Sequence, residues 1–569
     1  MLLNLVREYP PEQVEPGQET RPILISARAG AWALVMLAAP LAPALAAIWL
    51  VPWFVTQDGP AHVYNAEILK ASVGGFDSSS PWHNVYAVRW QPIPNWAGPV
   101  SMAGLVAWLP AWLADRIMTS VTLVGFAGAI LWLRWRVAGG RGLYTTAILA
   151  SILAMNMAWL FGFTSFMLGA CLFPITLGVW WDGRDRLRLP RLAALAALLT
   201  LGYFCHLVSM GLTALGLLVL SMAAPVCNNG ASPWRQRLTR LARIGLTYVP
   251  VLILGLCYVC IATGRAPMSP RWDNLADPWS PRAWMARLKW VDPISLAIRD
   301  GLPFTDRDGW PFVLFAPVIW LAIAVILWCY GQCRNGFLIR TDRDRRGWLL
   351  LTAILVFGGV AGPDSLGAAH GDYLPQRIVL LGLVALVPIL DIDFARIWGH
   401  GATVALVVAA VLQSIIIWDY ALYADRTAGQ VIRARDMVND GQRIAAFLVS
   451  SRSRFRANPL LHAANWLGVG TGNVIWNNYE TLHYYFPVQF QPGIDRPFPD
   501  DLEWISIHED PSDAGERSRA WERILRQHAD SIDVVVVWKT DPTLDSITAR
   551  WFDRVNRRGD VQVFRHRNP

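Results

Sequence analysis

Residues 31–51 read AWALVMLAAPLAPALAAIWLV, an apolar run without a single charged side chain. A helix that crosses the roughly 30 Å hydrocarbon core of a bilayer needs about 20 residues of this kind. Comparable runs recur along the chain and predict about eleven membrane spans. They lie at residues 31–51, 116–132, 143–160, 163–181, 192–208, 209–226, 244–261, 310–330, 348–361, 374–390 and 402–417.

Composition supports the same class of protein. Hydrophobic residues make up 54% of the chain and charged residues only 16%, which lies outside the range of soluble globular proteins. We therefore predict a polytopic all-α membrane domain over residues 31–418. It follows a cytoplasmic N-terminal tail, residues 1–30, and the first apolar run is interpreted as a signal anchor rather than a removable signal peptide.

The net charge of +8 comes from blocks of arginine between the apolar runs. With eleven spans and a cytoplasmic N-terminus, these blocks all fall on the cytoplasmic side. The cytoplasmic loops and tail then hold about 20 Lys and Arg residues, compared with about 10 in the outward loops. The charge therefore indicates membrane topology and argues against a nucleic-acid partner.

Three long segments are predicted on the outward side, at residues 52–115, 262–309 and 419–569. The first holds an apolar stretch at residues 97–112, interrupted by Pro110, which suits an interfacial helix better than a crossing. The third has the pattern of a soluble α/β domain. Its predicted strands are residues 443–449, 532–538 (IDVVVVW) and 561–564, and its predicted helices are 421–439, 514–529 and 544–557.

The stretch TQDGPAHVYNAE, residues 56–67, follows the first span directly. Pro60 suits the first turn of a helix, which would bring Asp58 close to His62 and Glu67. Asp58 is therefore either the N-cap of that helix or a functional carboxylate facing a cavity.

Outward cations are candidates for binding a phosphate group. We place Arg265, Arg271 and Arg377 in that role, and we expect a cavity that holds further polar side chains, namely Glu67, Arg89, His206, His370, Asp372 and Tyr373. Interfacial snorkelling is the alternative for each arginine.

The C-terminal segment holds a group of polar and aromatic side chains without regular spacing. This group either shapes acceptor access or belongs to an ordinary loop region. Its members are His462, Trp466, Asn473, Asn477, Asn478, Tyr479, Glu480 and His483.

These features resemble the GT-C superfamily of integral-membrane glycosyltransferases, in particular bacterial enzymes of the protein-mannosyltransferase and aminoarabinose-transferase type. The resemblance rests on QDGPAHVYNA after the first span, GFTSFMLG at residues 162–169, YFCH at 203–206, YLPQR at 373–377 and the outward C-terminal domain. It implies a bacterial inner-membrane enzyme with its C-terminal domain in the periplasm.

The resemblance also implies the chemistry. The donor would be a sugar on a polyprenyl phosphate or diphosphate, and the acceptor a glycan, lipid or protein reached from the periplasm. Asp58 would act as general base, with His62 beside it, and the sugar would be transferred with inversion. Some relatives use a divalent metal such as Mg or Mn and others none, and the sequence leaves both possibilities open. The alternatives are a transporter or flippase of lipid-linked sugars and an O-antigen-type polymerase.

Overall fold

The computed structural model describes most of the chain. The described residues are 27–140, 142–184, 187–224, 233–262, 269–272, 280–297, 316–334, 343–367, 373–392, 396–449, 453–507, 513–539 and 541–567. Within them, twenty α-helices and seven strands follow one another along the chain.

The helices up to residue 426 form the apolar part of the molecule. They are α1 (Ala27–Leu50), α2 (Gly59–Ser72), α3 (Trp82–Val85), α4 (Ala97–Trp108), α5 (Ala111–Ala138), α6 (Leu143–Ala154), α7 (Met157–Leu160), α8 (Thr164–Trp181), α9 (Leu189–Cys205), α10 (Leu207–Ala223), α11 (Pro233–Ala262), α12 (Pro281–Val291), α13 (Pro317–Arg334), α14 (Arg343–Ala361), α15 (Leu374–Leu386) and α16 (Ile397–Arg426).

Each of the eleven predicted spans coincides with at least part of one of these helices. Among the described residues, six helices are long and apolar enough to cross a membrane, those within residues 30–50, 111–138, 164–181, 234–262, 317–334 and 397–437. Helices α6, α9, α10 and α15 are apolar but shorter than those six. A polytopic membrane domain is thereby confirmed, whereas the number of eleven crossings stays a prediction.

The third predicted span does not run unbroken from residue 143 to residue 160. Helix α6 ends at Ala154, and Asn156 starts the short helix α7 by accepting a hydrogen bond from the backbone amide of Trp159 at 3.0 Å. The amide group of Asn156 donates to the Leu153 carbonyl at 2.8 Å. A buried polar side chain thus satisfies the backbone at the break.

The C-terminal part of the chain is the predicted α/β domain. It contains α17 (Ala428–Arg433), α18 (Pro499–Ile507), α19 (Ala514–His528) and α20 (Pro542–Thr548). Its five-stranded sheet has the order β3 (Val474–Ile475), β2 (Arg443–Leu448), β5 (Val534–Trp538), β7 (Val561–His566) and β6 (Phe552–Arg558). Strand β5 lies at the centre, parallel to β2 and antiparallel to β7, and its five residues are all buried, as a run of valines predicts.

Two of the predictions for this part of the chain need correction. The helix predicted at residues 544–557 is wrong, because α20 ends at Thr548 and β6 begins at Phe552. Strand β6 lies at the edge of the sheet and exposes six of its seven residues, so its charged composition resembles a helix surface. The helix predicted at 421–439 is divided, because α16 continues to Arg426 through the predicted boundary at residue 419.

The C-terminal domain packs directly on the segment that follows α1, residues 52–115. Strand β1 (Tyr86–Val88) of that segment pairs antiparallel with β4 (Val488–Phe490) of the domain, with Tyr86 opposite Phe490. The phenol oxygen of Tyr64 on α2 donates to the Asn473 carbonyl at 2.7 Å. The start of α2, where Asp58 lies, is therefore enclosed between the membrane helices and the C-terminal domain.

Candidate active site

Asp58 immediately precedes α2, at a backbone position fixed by the turn that joins α7 to α8. Its backbone N–H donates to the Phe161 carbonyl at 2.9 Å, and the N–H of Gln57 donates to the Leu160 carbonyl at 3.4 Å. At the described start of α2, the Asp58 side chain makes no capping hydrogen bond with the helix backbone. The carboxylate is thus left for other partners.

Those partners come from two distant parts of the chain. Oδ1 of Asp58 lies 3.4 Å from Nε2 of Gln57 and 3.5 Å from Nε2 of His462, and the nearby Tyr479 favours the ionised form of the same carboxylate. Asp58 is only 6% exposed. Burial raises its pKa to about 6, although the nearby charge of His62 opposes that rise.

His62 is held at both ring nitrogens. Nδ1 lies 2.5 Å from Oε1 of Glu480, and Nε2 lies 2.9 Å from the Gly162 carbonyl oxygen. Both of these partners are acceptors, so both ring nitrogens carry protons and the imidazole is a cation. Burial alone would lower the pKa of His62, but the charge and hydrogen bond of Glu480 raise it to about 9. His62 therefore acts as a fixed positive charge beside Asp58 and has no free nitrogen to accept a proton.

Gly162 allows this contact with His62. Its φ of +79° lies in the left-handed region, which favours glycine, and a Cβ there would come within 2.6 Å of Thr56 Oγ1. The turn at residues 161–163 can therefore approach the start of α2 closely enough for the Gly162 carbonyl to reach His62.

The same turn borders a second group of residues, centred on Arg377 in α15. The Arg377 guanidinium lies over the rings of Phe163 and Phe166, 4.5 Å and 5.3 Å from their centroids. Its Nη1 is 3.0 Å from Nε2 of His206, which lies between α9 and α10. Arg377 is 8% exposed, so the structure places a buried cation next to the turn that holds His62.

Tyr373 forms an aromatic wall beside Arg377. It adopts φ +55°, an unusual backbone conformation for a residue other than glycine. Its ring lies 5.0 Å from that of Phe161 and 5.6 Å from that of Trp290. Predicted as a cavity residue, Tyr373 thus contacts the turn that carries Gly162.

The remaining predicted site residues have other surroundings. Glu67 accepts a hydrogen bond from the Gly470 backbone N–H at 2.6 Å, so it connects α2 to the C-terminal domain. The Arg89 backbone N–H donates to the Pro487 carbonyl at 2.9 Å, next to the pairing of β1 with β4. Arg271 is exposed and forms a backbone bridge with Ser365. Arg265, His370 and Asp372 lie outside the described residues.

The C-terminal domain supplies further residues to this site. His462 stacks on Tyr479 with ring centroids 4.2 Å apart, and burial lowers the pKa of His462 to about 3, so it is neutral. Both were part of the polar and aromatic group recognised in the sequence, for which an ordinary loop was an open alternative. Glu503 on α18 interacts electrostatically with Asp58, and burial raises the pKa of Glu503 to about 7. No sequence motif marked Glu503 as a site residue.

Gln57 and Arg456 also went unrecognised as site residues. Oε1 of Gln57 accepts from the Asn458 backbone N–H at 2.9 Å, so the side chain joins Asp58 to the C-terminal domain. Arg456 donates to the backbone carbonyls of Asp292 and, at 2.6 Å, Trp290. It therefore supports the aromatic wall around Tyr373. Gln57 lies within the stretch quoted from the sequence, whereas no motif marks Arg456.

A divalent metal was left open by the sequence. Among the residues that the structure describes, no group of three or more His, Cys, Asp or Glu side chains has the arrangement of a metal site. Glu480, the carboxylate nearest His62, is engaged by that ring.

Comparison with known proteins identifies the fold. No protein-family model matches the chain, and no curated protein matches it in sequence. The crystal structure of ArnT from Cupriavidus metallidurans bound to undecaprenyl phosphate is similar to it with a TM-score of 0.50 and 12% identity, over 95% of this chain and 98% of that one. The apo structure of the same protein has a TM-score of 0.39 at 11% identity, over the same shares of the two chains. The chain therefore shares the fold of that crystal structure, as the resemblance in its sequence predicted.

Proposed function

We propose that this protein is a membrane glycosyltransferase that moves a sugar from a polyprenyl phosphate or diphosphate to an acceptor on the periplasmic side. The observation that carries the proposal is the state of Asp58. Its carboxylate is buried, is not used as a helix cap and has a pKa raised to about 6. The fold shared with a structure that binds undecaprenyl phosphate supports a lipid-linked donor.

Asp58 is the general base in this proposal. It accepts the proton of the acceptor hydroxyl or amine while the acceptor atom attacks the anomeric carbon of the donor sugar. The bond between that carbon and the phosphate oxygen breaks, and its electron pair leaves with the lipid phosphate. Attack from the face opposite the leaving group inverts the anomeric configuration. Proton transfer to a positioned carboxylate typically contributes about 10²–10⁴-fold to the rate.

The two charged groups next to the turn at residues 161–163 suit the two ends of this reaction. His62 keeps a positive charge beside Asp58, which holds the base ionised at neutral pH despite its burial. Arg377 offers a buried guanidinium for the phosphate, whose charge grows as it leaves. We assign the acceptor to the side of Asp58 and the lipid phosphate to the side of Arg377.

The proposed orientation follows from charge and span number. Eleven crossings with the arginine blocks in the cytoplasm put the start of α2 and the C-terminal domain on the periplasmic side of a bacterial inner membrane. Helix α4 would then lie along the membrane surface, as predicted for residues 97–112.

The pH dependence of kcat/KM is expected to show an acid limb near pH 6. A base must be deprotonated to act, so activity is lost as the pH falls through the pKa of Asp58, about 6, and is retained above it. The measurement is kcat/KM against pH from about 4.5 to 8 with a lipid-linked sugar donor. A profile that stays flat through pH 5 would contradict the assignment of Asp58 as base.

The function itself is tested with the full chain in proteoliposomes and a panel of polyprenyl-phosphate and polyprenyl-diphosphate sugars. Transfer of a labelled sugar to a lipid or glycan acceptor, with undecaprenyl phosphate or diphosphate released, supports the proposal. Movement of an intact lipid-linked sugar between leaflets without transfer would overturn it in favour of a flippase.

A further inference from the structure

His62 is surrounded mainly by acidic groups. Asp58 immediately precedes α2, which carries His62, and Asp115 on α5 interacts with His62 electrostatically. Glu480 and His462 face it from the C-terminal domain, and His462 is neutral. Glu503 interacts electrostatically with Asp58. These groups decide whether a buried imidazole carries a charge.

Glu480 makes the direct contact with the ring. Its carboxylate is 1% exposed and lies 2.5 Å from Nδ1, while the His62 side chain is 10% exposed. A buried imidazolium is costly unless it is paired and hydrogen-bonded. The Gly162 carbonyl at 2.9 Å supplies a second acceptor but no full charge. Glu480 is therefore the residue that compensates the buried cation.

Glu480 reaches His62 because the C-terminal domain is docked on α2. Next to this ion pair, Asn65 and Asn478 donate to each other through their side-chain amides, at 2.9 Å and 2.8 Å. Residue 62 and residue 480 are separated by 418 positions in the chain. The charge on His62 thus depends on a contact between two parts of the molecule.

We propose that Glu480 is a positioning residue which keeps His62 doubly protonated, so that a cation lies beside Asp58. The inference rests on the proposed function in that Asp58 is the base. Without the Glu480 carboxylate His62 is neutral at pH 8, and Asp58 loses the positive charge that favours its ionised form. Glu480 thereby favours the ionised form of the base through His62.

The test is ¹⁵N NMR of histidine-labelled full-length protein in nanodiscs, with the His62 signal assigned from His62→Gln. In the wild type both ring nitrogens are expected to stay protonated through pH 8 and to titrate near 9. In Glu480→Gln the midpoint is expected to fall by at least about two pH units, because an unperturbed histidine titrates near 6.5. A neutral His62 at pH 8 in the wild type, or an unchanged midpoint in the variant, would overturn the inference.

Asn478→Ala is the matched control. It removes the amide pair at the same interface but no charge, so it should lower thermal stability and leave the His62 midpoint within a few tenths of a unit. A large shift in this variant would mean that any loosening of the interface releases the proton, and would overturn the specific role of Glu480. This measurement needs no transfer activity, so it is independent of whether the proposed reaction is observed.

The kinetic consequence supplies a second readout. His62 lowers the pKa of Asp58 more than Glu480 raises it, so Glu480→Gln should move the acid limb of kcat/KM above pH 6. A limb that stays at pH 6 while His62 loses its charge would contradict the coupling between the two residues.

Discussion

Asp58→Asn is expected to lower the rate of sugar transfer by about 10²–10⁴-fold, the usual contribution of a general base. The amide has nearly the size of the carboxylate but cannot accept the acceptor's proton. Because Asn caps helices as well as Asp does, and because the carboxylate makes no capping bond at the described start of α2, the stability should change little. The measurement is single-turnover transfer in proteoliposomes, with thermal unfolding in parallel.

Two further variants at the same position separate a base from a helix cap. Asp58→Ser provides a capping oxygen without a carboxylate and should be as inactive as Asp58→Asn. Asp58→Glu keeps the carboxylate on a longer side chain and should retain part of the activity, with a displaced acid limb. Full activity in Asp58→Ser would show that the carboxylate takes no part in the reaction.

The fold could be predicted from the sequence because the bilayer restricts it so strongly. A run such as residues 402–417 has to be a helix in the membrane, since every backbone group in hydrocarbon must find a partner within the segment. Its ends were less certain: α16 begins at Ile397 and extends to Arg426, beyond the apolar run at both ends. Polar residues such as Asn156, which break a span, have no distinct signal in an apolar pattern.

The candidate site could be predicted only in part, for a similar reason. Asp58 and His62 are close in sequence, and a helix start after Pro60 is enough to bring them together. Glu480 and Tyr479 reach them from more than 400 positions away, and that contact depends on how the C-terminal domain packs on α2. Local periodicity carries no information about such packing.

Arg377 and Arg271 show the same limit for the outward cations. Both were candidates for the phosphate from their position alone, next to the outward ends of predicted spans. The structure buries Arg377 between two phenylalanine rings and His206, whereas it leaves Arg271 exposed. The number of residues between an arginine and the nearest predicted span does not show whether its side chain is buried or exposed.

Arg377→Ala is expected to weaken binding of the lipid phosphate strongly. Loss of one partner from a buried charge pair costs roughly 2–5 kcal/mol of binding free energy. Since each 1.4 kcal/mol is tenfold, the Kd for undecaprenyl phosphate should rise by about 30-fold or more. The measurement is binding of undecaprenyl phosphate to purified protein in detergent, together with kcat/KM for transfer.

Arg377→Lys and Arg271→Ala are the matched controls for that prediction. Lysine keeps the positive charge but lacks the planar guanidinium that pairs with two phosphate oxygens and lies over Phe163, so it should recover only part of the affinity. Arg271→Ala removes an exposed guanidinium near the same end of the helices and should change the Kd less than twofold. If both alanine variants lose affinity equally, the attraction is a general surface effect. If only Arg377→Ala loses affinity for undecaprenyl phosphate, and its thermal unfolding is unchanged, the buried guanidinium binds the phosphate.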